Sequence, residues 1–238
     1  MDDKLDLFGQ ALWDYQKEPS STALITWTSL TEEDPIDLSY FFRSYSEMPK
    51  LEQQALKLAK GKVLDIGCGA GSHSLFLQNE KKLEVTGIDI SPGAIATASA
   101  RGLKKTIEQS VFEYEEETFD TLLLLMNGTG ICGKLENLKT LLDHLVKLLN
   151  TGGQILLDSS DLIYLFDETE TGEKILPALS YYGELEYGIR YADKTATFPW
   201  LYVDIGNLQG IAEQVGLKTH LEMTGNNWDY LARLTKEY

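Results

Sequence analysis

The stretch VLDIGCGAGSHS, Val63 to Ser74, concentrates the residues best suited to hold a ligand. Asp65 sits inside an apolar run, and Gly67, Gly69 and Gly71 then follow at every second position. Glycines after a strand allow a tight turn and let a ligand approach the backbone, while the next helix offers its unpaired N–H groups. A dinucleotide would use the same features, but the GxGxxG fingerprint asks for Gly or Ala at position 72, where this chain has Ser72. An acid at the strand end suits a ligand carrying an ammonium group better than one carrying a pyrophosphate, because carboxylate and phosphate repel at short range.

Acid–base chemistry has few candidates. His73 falls in the first turn after the glycines, where it stands beside a ligand or packs structurally; His144 and His220 fall in a helix and an edge strand and read as structural. Asp158 and Asp161 lie at or beyond a strand end, where a base, a helix cap or a turn are all open readings. Cys68 and Cys132 are too few and too distant for a disulfide framework or a zinc pattern and read as buried free thiols. No metal site is expected, and no residue is assigned as catalytic.

The chain has 238 residues, 43% hydrophobic and 24% charged, enough for one globular domain with additions. With 37 acidic against 21 basic residues the net charge is −16, which repels a phosphate backbone, and no lysine and arginine cluster offsets it. Nucleic acid is therefore not an expected partner. MDDKLDLFGQ has no basic flank followed by an apolar core, and the longest apolar run, Leu122 to Met126, is too short to cross a bilayer. A cytoplasmic protein without membrane contact is expected.

The elements that must position these residues follow from periodicity. Asp6 to Tyr15 predicts a short helix stopped by Glu18-Pro19-Ser20-Ser21; Ala23 to Leu30 reads as extended, TEEDP as a turn, and the aromatic stretch Ile36 to Ser46 is undecided. A helix from Pro49 to Gly61 leads into the strand Lys62 to Ile66. Helices at Ser72 to Gln78, after Ser91-Pro92, and over Leu138 to Leu149 then alternate with strands at Leu83 to Ile88, Leu103 to Glu108, Thr121 to Met126 and Gln154 to Asp158; Asn150 to Gly153 separates the last helix and strand. This alternation predicts an α/β fold, a doubly wound and mostly parallel sheet, with ligands bound outside the carboxyl ends of its strands. Leu185 to Tyr191 and Ala196 to Tyr202 predict a hairpin with one aromatic face, which could wall a pocket, cover a sheet edge or make a dimer contact. A helix around Leu208 to Val215 and strands Leu217 to Met223 and Trp228 to Leu234 close the chain.

DIGCGAG resembles motif I of the class I S-adenosylmethionine-dependent methyltransferases, and GIDIS, Gly87 to Ser91, resembles the end of their second strand. The resemblance implies a Rossmann-like, seven-stranded sheet of order 3-2-1-4-5-7-6 with the seventh strand antiparallel, and S-adenosylmethionine as cofactor. It implies that Asp65 serves the methionine amino group, often through water, that Gly67, Cys68, Gly69 and Gly71 pass beside the cofactor with His73 near its methionine end, and that Asp89 binds both ribose hydroxyls with Ile90 against adenine. A carboxylate has acceptors enough for two adjacent hydroxyls. The usual adenine-binding acid is replaced by Ser110, which leaves Ser110 or the backbone near Val111 and Phe112 for that role, or Ser110 as a turn residue. Asn127 is implied to lie near the methyl donor. Arg43 and Tyr45 lie in a segment that often covers the cofactor, where Arg43 pairs with the methionine carboxylate or is a surface arginine.

The organisation expected is an N-terminal cap over residues 1–60 and a methyltransferase domain over 61–238 carrying an aromatic hairpin insertion at about 159–203. The function expected is methyl transfer to a small molecule by a monomer or homodimer; a protein methyltransferase and a non-catalytic cofactor-binding module are the alternatives.

Overall fold

In a computed structural model that describes residues 6–19 and 22–236, the chain alternates strand and helix from residue 62 onward. Strand β3 (Lys62–Ile66), β4 (Glu84–Asp89), β5 (Thr106–Glu108), β6 (Phe119–Leu124), β7 (Leu149–Ser160), β10 (Leu217–Thr224) and β11 (Asp229–Lys236) build one seven-stranded sheet of order β10-β11-β7-β6-β3-β4-β5. Numbered within the sheet this is 3-2-1-4-5-7-6 read from the other edge, and β11 runs antiparallel to both neighbours while β3 to β7 pair in parallel. Val63, Leu64, Leu122, Leu123, Ile155 and Leu156 are wholly buried because helices cover both faces, as a parallel sheet requires.

The covering helices are α2 (Lys50–Leu58), α3 (Ser72–Asn79), α4 (Pro92–Ala100), α5 (Leu135–Leu148) and α6 (Ile205–Gln214). Ser91 caps α4 by accepting from the Ala94 N–H, with Pro92 in its first turn. The Nζ of Lys81 donates to the carbonyls of Leu56, Lys57 and Ala59, satisfying the end of α2. Leu138, Leu141, Leu142, Leu145 and Leu148 form the buried stripe of α5.

A second sheet of four antiparallel strands, β2-β1-β8-β9, joins the N-terminal segment to the later insertion: β1 (Leu24–Thr28), β2 (Thr31–Ile36), β8 (Glu184–Tyr191) and β9 (Lys194–Leu201). In β8 and β9, Tyr187 pairs with Phe198 and Leu185 with Trp200, so their side chains share one face. That face and α1 (Leu7–Lys17) enclose a separate core of Leu7, Ala11, Leu24, Leu38, Ile189 and Tyr191. On the opposite face Gly188 is required, since a Cβ on it would lie 2.0 Å from the ring of Trp27, its partner on β1.

Some local expectations fail for identifiable reasons. TEEDP is strand, not turn: Ser29 and Leu30 make the bend, held by Thr28 and Thr31 hydroxyls, and the exposed edge strand β2 has no apolar alternation to announce it. Asn150 to Gly153 bulges within β7 instead of preceding it, because Leu149 already pairs with Phe119. The third sheet strand shrinks to Thr106–Glu108, and β6 stops at Leu124 because Met126 and Asn127 turn left-handed at φ 62° and 59°. The aromatic stretch resolves into two short 3-10 turns, Leu38–Phe42 and Tyr45–Glu47. The opening helix ends at Lys17; Ser20 and Ser21 of its expected stop lie outside the described residues. Among the described residues no helix is long and apolar enough to cross a membrane, and no cluster of His, Cys, Asp and Glu could hold a metal ion.

Candidate active site

The glycine turn lies at the carboxyl end of β3, between β4 and β6. Gly67, Gly69 and Gly71 take φ of 71°, 52° and 80°, the left-handed region that an L side chain enters only at a cost. Gly67 is exposed, and a Cβ built on it meets nothing within 4 Å, so open space adjoins the turn. Cys68 is buried against Gly87, whose own Cβ would come within 2.9 Å of the sulfur. Burial, with the charges of Asp65 and Asp89 behind it, holds that thiol protonated.

Asp89 closes β4 facing the turn. One carboxylate oxygen accepts from the Gly69 N–H and the other from the Ser91 N–H, both at 3.0 Å. Each oxygen keeps a second acceptor position. Burial raises the Asp89 pKa, and its two N–H partners pull against that. Ile90 follows with 72% of its surface exposed, a large apolar side chain standing over the open end of the site. Ser110 caps the 3-10 turn Val111–Glu113 by accepting from the Phe112 N–H at 3.3 Å, and Val111 is buried beneath it.

Asp65 is only 1% exposed and receives the Ser74 hydroxyl at 2.6 Å; burial raises its pKa. His73, in the first turn of α3, is also buried and meets Glu52 of α2, Nε2 to Oε2 at 2.6 Å. Glu52 in turn takes both its oxygens to Nη2 of Arg43. Arg43 is thus a buried residue and not the surface arginine that was one of its two expected readings; its guanidinium lies 3.9 Å above the Tyr40 ring, and its Nε finds no acceptor. Burial would raise Glu52, but the hydrogen bond and charge of His73, then Arg43, hold it below the ordinary value. For His73, burial works downward and Glu52 and Asp65 together outweigh it, so its pKa is raised.

The N-terminal segment is latched to the turn. The Ser72 hydroxyl donates to the Phe41 carbonyl at 2.7 Å, and Arg101 donates to the carbonyls of Ala70 and Phe42. Ser72, the residue that breaks the dinucleotide fingerprint, is occupied by this latch. Phe8 of α1 approaches the turn from the same side, 3.9 Å from a Cβ placed on Gly69. Asp6, at the head of α1, accepts from Ser91 and from the Gly93 N–H, so one carboxylate fastens α1 to α4.

Beyond β6, the Asn127 side chain is fully engaged, donating to the Leu201 carbonyl and accepting from Ser159, so it faces the protein. Its backbone N–H donates to Asp158 at 3.0 Å. Asp158, on β7, is enclosed yet keeps part of its surface accessible, and burial, reinforced by the charge of Glu52, pushes it up to about 7. Asp161 is the cap its position allowed, accepting from the Ile163 N–H and the Tyr182 hydroxyl. His144 and His220 make structural hydrogen bonds to the Tyr114 carbonyl and to Thr235. Burial pushes the Cys132 thiol up to about 12. Sequence reasoning missed Glu52 and Tyr40, whose types and positions carry no signal until the fold sets α2 and the aromatic turn beside β7.

Comparisons with known proteins agree with this geometry. Residues 63–153 match a methyltransferase-domain family. The crystal structure of a SAM-dependent methyltransferase from Bacteroides fragilis, in complex with S-adenosyl-L-homocysteine, is 40% identical with a TM-score of 0.89, covering 98% of this chain and 95% of that one. The CcbJ methyltransferase from Streptomyces caelestis has a TM-score of 0.62 over 82% of this chain and 99% of its own, at 13% identity, and shares the fold. Among curated proteins, ribosomal RNA small subunit methyltransferase C of Erwinia tasmaniensis is 31% identical over 127 residues, 49% of this chain. The Escherichia coli protein of that name is 34% identical over 105 residues, 40% of this chain. The matches span only 37% and 30% of those two relatives.

Proposed function

The chain belongs to the class I S-adenosylmethionine-dependent methyltransferases, and from that membership we propose that it methylates a small molecule held between the glycine turn and Asp158. The cofactor supplies a sulfonium-activated methyl group; the chain's part is to bind it, orient the acceptor and keep water away. The observation that carries the cofactor half of this reading is Asp89: a carboxylate with an unused acceptor on each oxygen, beside a glycine turn with nothing in front of Gly67.

Asp89 takes the two ribose hydroxyls, Ile90 covers adenine, and Ser110 with the Val111 backbone serves the adenine edge. Gly67, Cys68, Gly69 and Gly71 present backbone to the cofactor. Asp65 and His73, both buried, act from behind the turn, Asp65 through water, and the unpaired Nε of Arg43 is the donor for the methionine carboxylate. Asn127 shapes the wall near the methyl donor through its left-handed backbone. The described residues before 61, together with the hairpin, form the cap of the methyltransferase domain that follows.

For the acceptor, a net charge of −16 opposes a phosphate backbone, and the aromatic turn and hairpin narrow the approach. The partial likeness to ribosomal RNA methyltransferases makes RNA the competing acceptor. Calorimetric titration with S-adenosylmethionine and S-adenosylhomocysteine should show saturable binding. Asp89→Ala, losing two charged hydrogen bonds, should weaken it by at least about 3 kcal/mol, more than 100-fold. With radiolabelled cofactor, label entering a small-molecule extract supports the proposal. Label entering ribosomal RNA or protein instead overturns the acceptor assignment.

A further inference from the structure

Asp158 is the one enclosed carboxylate of this region that has no side-chain partner, and part of its surface is accessible. Glu52 has Arg43 and His73, Asp65 has Ser74, and Asp89 has two N–H groups; Asp158 has only the backbone N–H groups of Asn127 and of its own residue. The elements packed around it bring Glu52 from α2, His73 from α3, Tyr40 from the aromatic turn, Tyr202 after β9 and Tyr230 from β11, each linked to Asp158 by charge. The cations within this set, Arg43 and His73, are already committed to Glu52. Tyr230 spends its hydroxyl on the Val203 carbonyl at 2.7 Å. Among the described residues, the Tyr40 and Tyr202 hydroxyls have no hydrogen-bond partner. Tyr40 is 40% exposed, and Asp158 and Tyr202 are each partly accessible.

We propose that the acceptor is a small cationic amine, seated with its nitrogen on Asp158 between Tyr40 and Tyr202, and that Asp158 takes the ammonium proton. This rests on the small-molecule reading given above. An enclosed carboxylate with only neutral backbone donors is relieved by gaining either a proton or a cation, and an ammonium offers both. A hydroxyl acceptor offers no charge. The Tyr202 ring favours a cation, the Tyr40 ring being already engaged by Arg43, and the acidic surface concentrates one.

The step balances. One N–H bond of the ammonium breaks, its electron pair stays on nitrogen as the lone pair, and the proton forms an O–H bond on Asp158. That lone pair is what attacks the methyl carbon. A carboxyl raised to about 7 can hold the proton at neutral pH and still release it to solvent.

The test uses the full chain labelled with 13C at aspartate carboxyls and saturated with S-adenosylhomocysteine, the Asp158 resonance being assigned with Asp158→Asn. Phenethylamine, tyramine and hexylamine are titrated at pH 7 beside 2-phenylethanol, tyrosol and 1-hexanol. In this complex no methyl donor draws on the nitrogen lone pair, so the proton stays on the amine: at least one amine should move the resonance toward its ionised position while no alcohol does, and Asp158→Asn should bind that amine at least tenfold more weakly. Equal shifts from amines and alcohols, no shift from any probe, or undiminished amine binding by Asp158→Asn overturns the proposal. Failure of the wild type to bind S-adenosylhomocysteine would instead sink the cofactor reading on which it stands.

Discussion

Asp158→Asn should stabilise the ligand-free protein, and more so at high pH. The substitution keeps the side chain's shape and leaves an oxygen to accept the Asn127 N–H, so it removes mainly the buried charge. Folding raises the Asp158 pKa from 3.8 to about 7, so the folded state binds the proton more tightly. The sign follows: the wild type is relieved of this cost below pH 4 and bears it increasingly as pH rises through about 7. One pKa unit is worth about 1.4 kcal/mol, which puts the full cost near 4 kcal/mol. Linkage over the two pKa values puts the cost at about 2 kcal/mol at pH 5.5 and about 4 kcal/mol at pH 8.5. The gap between variant and wild type should therefore widen by about 2 kcal/mol between these pH values, read from urea unfolding curves. A gap that does not change with pH would mean that Asp158 titrates as an ordinary carboxylate, and the account of its isolation would be wrong.

Glu52→Gln leaves the buried Arg43 without its counter-charge and should cost about 3–5 kcal/mol. In the wild type, the stability His73 draws from Glu52 is full below the unfolded histidine pKa and fades as pH rises through the higher folded value; NMR titration of His73 should show that pKa falling in the variant. Gly130→Ala would drive a Cβ to within 1.9 Å of the Trp200 ring and should destabilise by about 1–3 kcal/mol or more, with tryptophan emission shifting red as Trp200 is displaced. Gly210→Ala, inside α6 with nothing within 4 Å, should raise stability by about 0.4–1 kcal/mol in thermal unfolding.

The parallel core was legible because its signals are local. Apolar runs such as Leu122 to Leu124, the Ser91-Pro92 cap and the leucine stripe of α5 fix strand and helix by periodicity, and the left-handed glycine turn demands glycine whatever surrounds it. Asp65 and Asp89 could be singled out because each is polar at the end of a buried strand. What the sequence determined by itself was therefore the seven-stranded frame and the half of the site that holds the cofactor. The tertiary structure alone decided the rest. That Thr31 to Ile36 pairs with Leu24 to Thr28, and the latter with a strand more than 150 residues later, depends on backbone hydrogen bonds that leave no mark on an exposed edge. That Arg43, Glu52 and His73 satisfy one another while Asp158 is left with backbone donors only depends on four separate segments meeting, and the electrostatic state of a carboxylate is set by those neighbours, not by its own place in the chain.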